Sequence, residues 1–91
     1  MIETTVITFE VNNSFDEWVK IFDGPEAVEM HAEFEIHPIY RGCEKGNRQK
    51  VVVIHQAEVG QIEKFVAKNG EKFISHGLIP STIKTSTFVA S

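Results

Sequence analysis

The chain has 91 residues, a formal net charge of −4 and one cysteine. That length allows one domain, expected over residues 1–91, which on its own buries only roughly 60–65% of its unfolded surface and so gains from association. The acidic balance and scattered basic residues speak against a nucleic-acid partner, and the lone Cys43 excludes an internal disulfide, so a reduced, cytoplasmic setting is expected.

Met1-Ile2-Glu3-Thr4 opens with neither a basic segment nor an apolar run of signal length, and no stretch reaches the ~20 apolar residues of a membrane span. No membrane partner is expected. Residues 2–11, rich in Thr, Val, Ile and Phe, read as a strand that Asn12-Asn13-Ser14 breaks. Ser14-Phe15-Asp16-Glu17 has capping-box spacing, and Phe15, Trp18, Val19 and Phe22 follow on one helical face. Gly24-Pro25 ends that helix and starts a short second piece over 26–33. Its Glu26, Glu29 and Glu33 are read as a solvated face.

Residues 34–43 read as extended, with Pro38 marking an edge strand or bulge. A polar hairpin loop over 44–49 is centred on Gly46-Asn47. The run Lys50-Val51-Val52-Val53-Ile54-His55-Gln56 is apolar on both sides of its backbone, because Val51 and Val53 point one way and Val52 and Ile54 the other. A sheet built around such a strand needs both faces covered. Ile62, Phe65, Val66, Asn69 and Phe73 mark a long helix over 60–76, with a kink expected at Gly70 and a stop at His76-Gly77. After Pro80, residues 82–90 read as the last strand.

The order strand, helix, strand, strand, helix, strand predicts an α+β, ferredoxin-like βαββαβ sandwich. Its four-stranded antiparallel sheet has strands 1 and 3 central and its helices on one face. The helices cover that face only, so a second copy of the chain is the simplest cover for the other. Fold alone assigns no activity. One cysteine is too few for an iron–sulfur cluster or a Cys-x-x-Cys metal site, and the central strands lack the basic and aromatic residues of an RNA-recognition motif. The glycines have turn, cap or kink explanations rather than a phosphate-loop pattern, and no cofactor is expected.

Pro38-Ile39-Tyr40-Arg41-Gly42, the run from Lys50 to Ala57, and the tail from His76-Gly77 to Ser81-Thr82 resemble a small family of uncharacterised, mainly cyanobacterial proteins. More broadly the chain resembles the dimeric α+β barrel superfamily, whose members pair two four-stranded sheets face to face. The superfamily includes cofactor-independent monooxygenases, haem-degrading enzymes and muconolactone isomerases. The narrower family carries no assigned activity, so the resemblance implies a homodimer but transfers no catalytic residue.

With Gly46-Asn47 as the hairpin tip, Tyr40 opposes Val53, Ile39 opposes Ile54, Pro38 opposes His55 and His37 opposes Gln56. One face then carries Tyr40, Val51, Val53 and His55. The other carries His37, Ile39, Arg41, Cys43, Val52, Ile54 and Gln56, an apolar middle with a polar border, as interfaces have. His37, Ile39, Arg41, Val52 and Ile54 are therefore expected at the dimer interface. Trp18, Tyr40 and His55 are expected to bound a ligand pocket under the helices. The competing reading makes His55 a core histidine satisfied by a neighbour.

His31, His37, His55 and His76 lack the tight spacing of a metal site, and none is expected. Cys43 has no base placed beside it, and Arg41 is read as pairing with a carboxylate or an anionic group. The leading functional expectation is a homodimeric small-molecule-binding module of unassigned activity. The alternatives are a cofactor-independent oxygenase or isomerase with His55 or His37 as general base, and a structural or regulatory interaction module.

Overall fold

Alternation along the first strand sets the architecture. In β1 (Ile2–Val11), Thr5, Phe9 and Val11 are buried, whereas Thr4, Val6 and Thr8 are only half-buried. In the computed structural model, which describes residues 1–90, the chain continues through α1 (Phe15–Phe22), α2 (Pro25–Glu33), β2 (His37–Glu44), β3 (Asn47–Glu58), α3 (Gln61–Ser75) and β4 (Leu78–Val89). Ser91, the last residue of the expected domain, lies outside the described residues. The sheet order is β2-β3-β1-β4, and the β1–β3, β1–β4 and β2–β3 pairings are antiparallel. This is the ferredoxin-like α+β fold, with the two long strands of the sequence reading at its centre and the first crossover made of two helices.

Ser14 caps α1 by accepting from the Glu17 amide at 3.3 Å. Pro25 opens α2 directly after Gly24. α3 runs through Gly70 as one helix. It ends at His76, whose amide bonds back to the Lys72 and Phe73 carbonyls. Gly77 follows at φ +107°, packed so closely on Asn13 that a Cβ would come 2.7 Å from the Asn13 side chain.

The helices cover one sheet face. Phe9, Val11, Trp18, Val51, Val53 and Leu78 form one buried cluster and Ile36, Ala57, Ile62 and Phe65 a second, with Phe73 packed against both. On the other face Val52 and Ile54 are half-buried by their neighbours, while Tyr40 and Phe88 are 57% and 59% exposed. Among the described residues no helix is long and apolar enough to cross a membrane.

Two irregularities depart from the expected strand pairing. The hairpin tip is Lys45-Gly46, one residue earlier than expected, with Gly46 at φ +85°, a conformation glycine adopts without strain. Ile39 has no partner on β3: His37 pairs with Gln56 and Pro38 with His55, as expected, but Tyr40 then pairs with Ile54 and Arg41 with Val53. Pro38 has no amide to give the ladder, and the extra residue beside it is a β-bulge. The bulge exchanges faces beyond it. Tyr40 moves to the open face, while Arg41 and Cys43 move to the helix-covered face, opposite Val53 and Val51.

The last strand begins earlier than expected. Leu78 and Ile79 already pair with Val11 and Glu10, before Pro80, and pairing resumes at Lys84 opposite Thr8. Thr82 bridges the irregular stretch. Its hydroxyl accepts from the Glu10 amide at 2.8 Å and donates to the Ile79 carbonyl at 2.6 Å, standing in for a missing ladder bond.

Candidate functional site

Between the helices and the sheet lies a cavity of about 410 Å³, within the range of small-molecule sites. Its apolar end is walled by Phe9, Trp18, Leu78 and Phe73. Trp18 stacks on Phe22 at 4.8 Å and meets Phe9 edge-on at 5.6 Å.

The opposite end is polar. β3 supplies His55, and α2 supplies His31 above it, the ring centroids being 5.0 Å apart at an interplanar angle of 72°. Both are deeply buried, His31 6% and His55 2% exposed. Phe22 and Phe65 close around the pair, with centroids 4.7 to 6.3 Å from one or other imidazole. The sheet continues the polar row sideways. Thr5 is the cross-strand partner of both His55 and Thr87, and the Thr5 and Thr87 hydroxyls lie 3.2 Å apart. His55, Thr5 and Thr87 therefore cross three strands in line on the helix-covered face.

Two atoms at this end lack partners. His31 Nδ1 lies 2.6 Å from the Ala27 carbonyl. A carbonyl oxygen only accepts, so Nδ1 carries the ring proton and Nε2 is left as a bare lone pair. His31 Nε2 and His55 Nδ1 are both buried and without a hydrogen-bond partner. Orphaned polar atoms are uncommon in native cores and call for a reason. Burial lowers the pKa of His31. Burial first, and then the neighbouring His31, push His55 down to about 4 against a small opposing effect of the Ile54 carbonyl. Both rings are uncharged at neutral pH. The pair can accept hydrogen bonds or take a proton, but offers no positive charge to an anion.

Of the residues expected at the pocket, Trp18 and His55 line the cavity. Tyr40 does not, because the bulge at Ile39 turns it to the opposite sheet face. Arg41, expected on the open face opposite Val52, instead reaches over the edge of the covered face. It donates to Asp23 Oδ2 at 2.6 Å and lies 6.0 Å from the Phe22 ring. The carboxylate partner foreseen for it is in the same chain. His37 is exposed at the start of β2 and faces Gln56 across the ladder. Ile39 is exposed as the extra residue of the bulge, and Val52 and Ile54 hold the expected open face. Cys43 lies 3.6 Å from Arg48 Nη1.

His31 was missed as a site residue. Glu26, Glu29 and Glu33 drew attention to the wet side of α2, yet Ala27, Met30, His31 and Phe34 stand at i, i+3, i+4 and i+7 on its other side. That spacing was the available signal.

The chain matches solved structures across nearly its whole length. A NIPSNAP family protein from Agrobacterium tumefaciens superposes with a TM-score of 0.66 at 10% identity, covering 100% of this chain and 94% of that one. An uncharacterised NIPSNAP domain protein from Burkholderia xenovorans gives 0.67 at 15% identity, covering 100% and 95%. A variant of SnoaB, a cofactor-independent oxygenase from Streptomyces nogalater, gives 0.63 at 16% identity, covering 98% and 92%. At these identities the likeness is one of fold. No curated protein matches the sequence. A family model described as a domain of unknown function (DUF3764) matches residues 2–90, and the chain belongs to that family.

Proposed function

We propose that this protein is a homodimeric small-molecule-binding module whose ligand lodges between helices and sheet, with its polar group against His31 and His55. The observation that carries this reading is the pair of buried imidazole nitrogens without partners at one end of a mostly apolar cavity. A polar atom buried without a partner costs on the order of 1–3 kcal/mol, a cost that a bound ligand's hydrogen bond offsets. The test is to purify the protein from its native cells and identify co-purifying molecules by mass spectrometry. A bound compound absent from a His31→Phe/His55→Phe double variant supports the reading. Recovery of the same compound from that variant overturns it.

The second subunit would cover the open sheet face, centred on Val6, Val52 and Ile54 with Ile39 and His37 toward the β2 edge. Half-buried apolar residues there, with Tyr40 and Phe88 exposed beside them, support this assembly. It is the face-to-face pairing of the dimeric α+β barrels that the sequence resembles. A lone thiol at Cys43 suits a reducing cytoplasm.

A second reading is enzymatic, and the two imidazole nitrogens without hydrogen-bond partners favour it. An imidazole nitrogen with a free lone pair can take a proton from a bound carbon or oxygen acid, the work of a general base in a cofactor-independent oxygenase or isomerase, although the burial that lowers its pKa makes it a weaker base. The base would be His31 or His55; His37 stands outside this cavity. Turnover lost in His55→Ala with the fold intact would select this reading over binding alone.

A further inference from the structure

Given that the cavity is a ligand site, as proposed above, we infer that it takes an uncharged, largely apolar ring compound that donates one hydrogen bond to His31 Nε2, as a phenol or enol hydroxyl does. The direction of that bond follows from the tautomer. The Ala27 carbonyl at 2.6 Å holds the only ring proton on Nδ1, so the nitrogen left over can only accept. A ligand presenting a carbonyl or an ether there would bring lone pair against lone pair.

The charge of the ligand follows from what lines the cavity. Its walls carry Glu63 and His76 as titratable groups besides the two buried histidines, and His76 faces Glu26 at 3.4 Å. Arg41 is occupied by Asp23 outside. A carboxylate or phosphate entering beside His31 would therefore meet no cation. The body of the ligand follows from the walls. Trp18, Phe22 and Phe65 offer ring faces and edges, and Phe9, Val53 and Ile62 add apolar surface. A flat ring fits between such walls with little loss of its own freedom. Thr87, on the edge strand β4, extends the polar row and would receive a second polar substituent on the same side.

Three probes separate the parts of this inference: naphthol, its methyl ether and the matching naphthoate. Affinity is read by calorimetry, and location by the indole N–H resonance of Trp18, the one tryptophan in the chain. Naphthol should bind about tenfold or more tighter than the ether, and naphthoate weakest. In His31→Phe the gap between naphthol and ether should close. Equal binding of naphthol and ether in the unaltered protein, with the Trp18 resonance shifted, would overturn the donor requirement and leave the ligand site standing. Tightest binding by naphthoate would overturn the uncharged class. If none of the probes moves the Trp18 resonance, the ligand-site reading itself falls. Long-range ¹⁵N spectra of the imidazoles give a check that needs no variant. A His31 ring protonated at Nε2 rather than Nδ1 would reverse the donor and acceptor roles and sink the inference.

Discussion

The two faces of one sheet meet very different fates in this molecule, although the same four strands make both. The covered face is dense with aromatic contacts at its Trp18 end and carries histidines and threonines at its other end. The open face is a plain patch of Val6, Val52 and Ile54 with Tyr40 and Phe88 beside it. Among the described residues, the two buried imidazole nitrogens without partners lie on the covered side of the sheet, and the exposed rings of Tyr40 and Phe88 on the open face. The first pattern is what a ligand site leaves behind, and the second what a docking surface leaves behind. On the proposed reading, ligand binding and self-association occupy opposite faces of one sheet.

A charge placed on each face should separate them most sharply. Val51 is fully buried under the helices. Val51→Asp strands a carboxylate there and should cost at least ~4 kcal/mol, enough to unfold the protein in a urea titration. Equal stability of variant and parent would deny that this face is the core.

Acid should probe the polar end next. His55 is held at about 4 against an ordinary 6.5, so the unfolded chain binds its proton well before the folded chain does. Stability is therefore full above about pH 7 and falls as the pH drops toward about 4. The total loss is on the order of 3 kcal/mol from this group. His31, also lowered by burial, adds in the same direction. Urea midpoints measured across that range should fall steeply for the parent and less steeply for His55→Gln. A parent whose stability does not change between pH 7 and 4 would contradict a buried, neutral pair.

On the open face, Ile54→Lys should leave the subunit within ~1 kcal/mol of its original stability while splitting the proposed dimer, because an interfacial charge there is left unpaired. Sedimentation decides this, and an unchanged dimer mass would move the interface elsewhere. The smallest effect concerns the cover itself. Gly70 sits inside α3, and a Cβ there would meet nothing within 4 Å. Gly70→Ala should add about 0.5–1 kcal/mol by removing backbone freedom from the unfolded chain, read as a rise in Tm.

The element order could be read from the sequence because each element carries its own period. Phe15, Trp18 and Phe22 report a helix, and Val51 to Ile54 a strand buried on both sides. Trp18 and His55 were legible for the same reason, since each sits in a run whose covered side is evident. Tyr40 was not legible. Pro38 warned of an irregularity, but nothing local says which residue the ladder skips, and skipping Ile39 rather than a neighbour decides the face of everything after it. β4 was begun too late because Pro80 looked like a boundary, whereas the Thr82 hydroxyl carries the pairing across it. His31 was hidden by its own helix, whose glutamates are more conspicuous than the narrow stripe behind them.

Both outer strands of the sheet are interrupted, β2 by Pro38 and an unmatched Ile39, β4 by Pro80 and the stretch that Thr82 bridges. A growing fibril requires a straight, regular margin of free amides and carbonyls onto which the next chain can hydrogen-bond. Neither margin here offers one over its full length. The same kinks that re-aim side chains near the cavity also shorten the regular margin that either edge offers a neighbouring molecule.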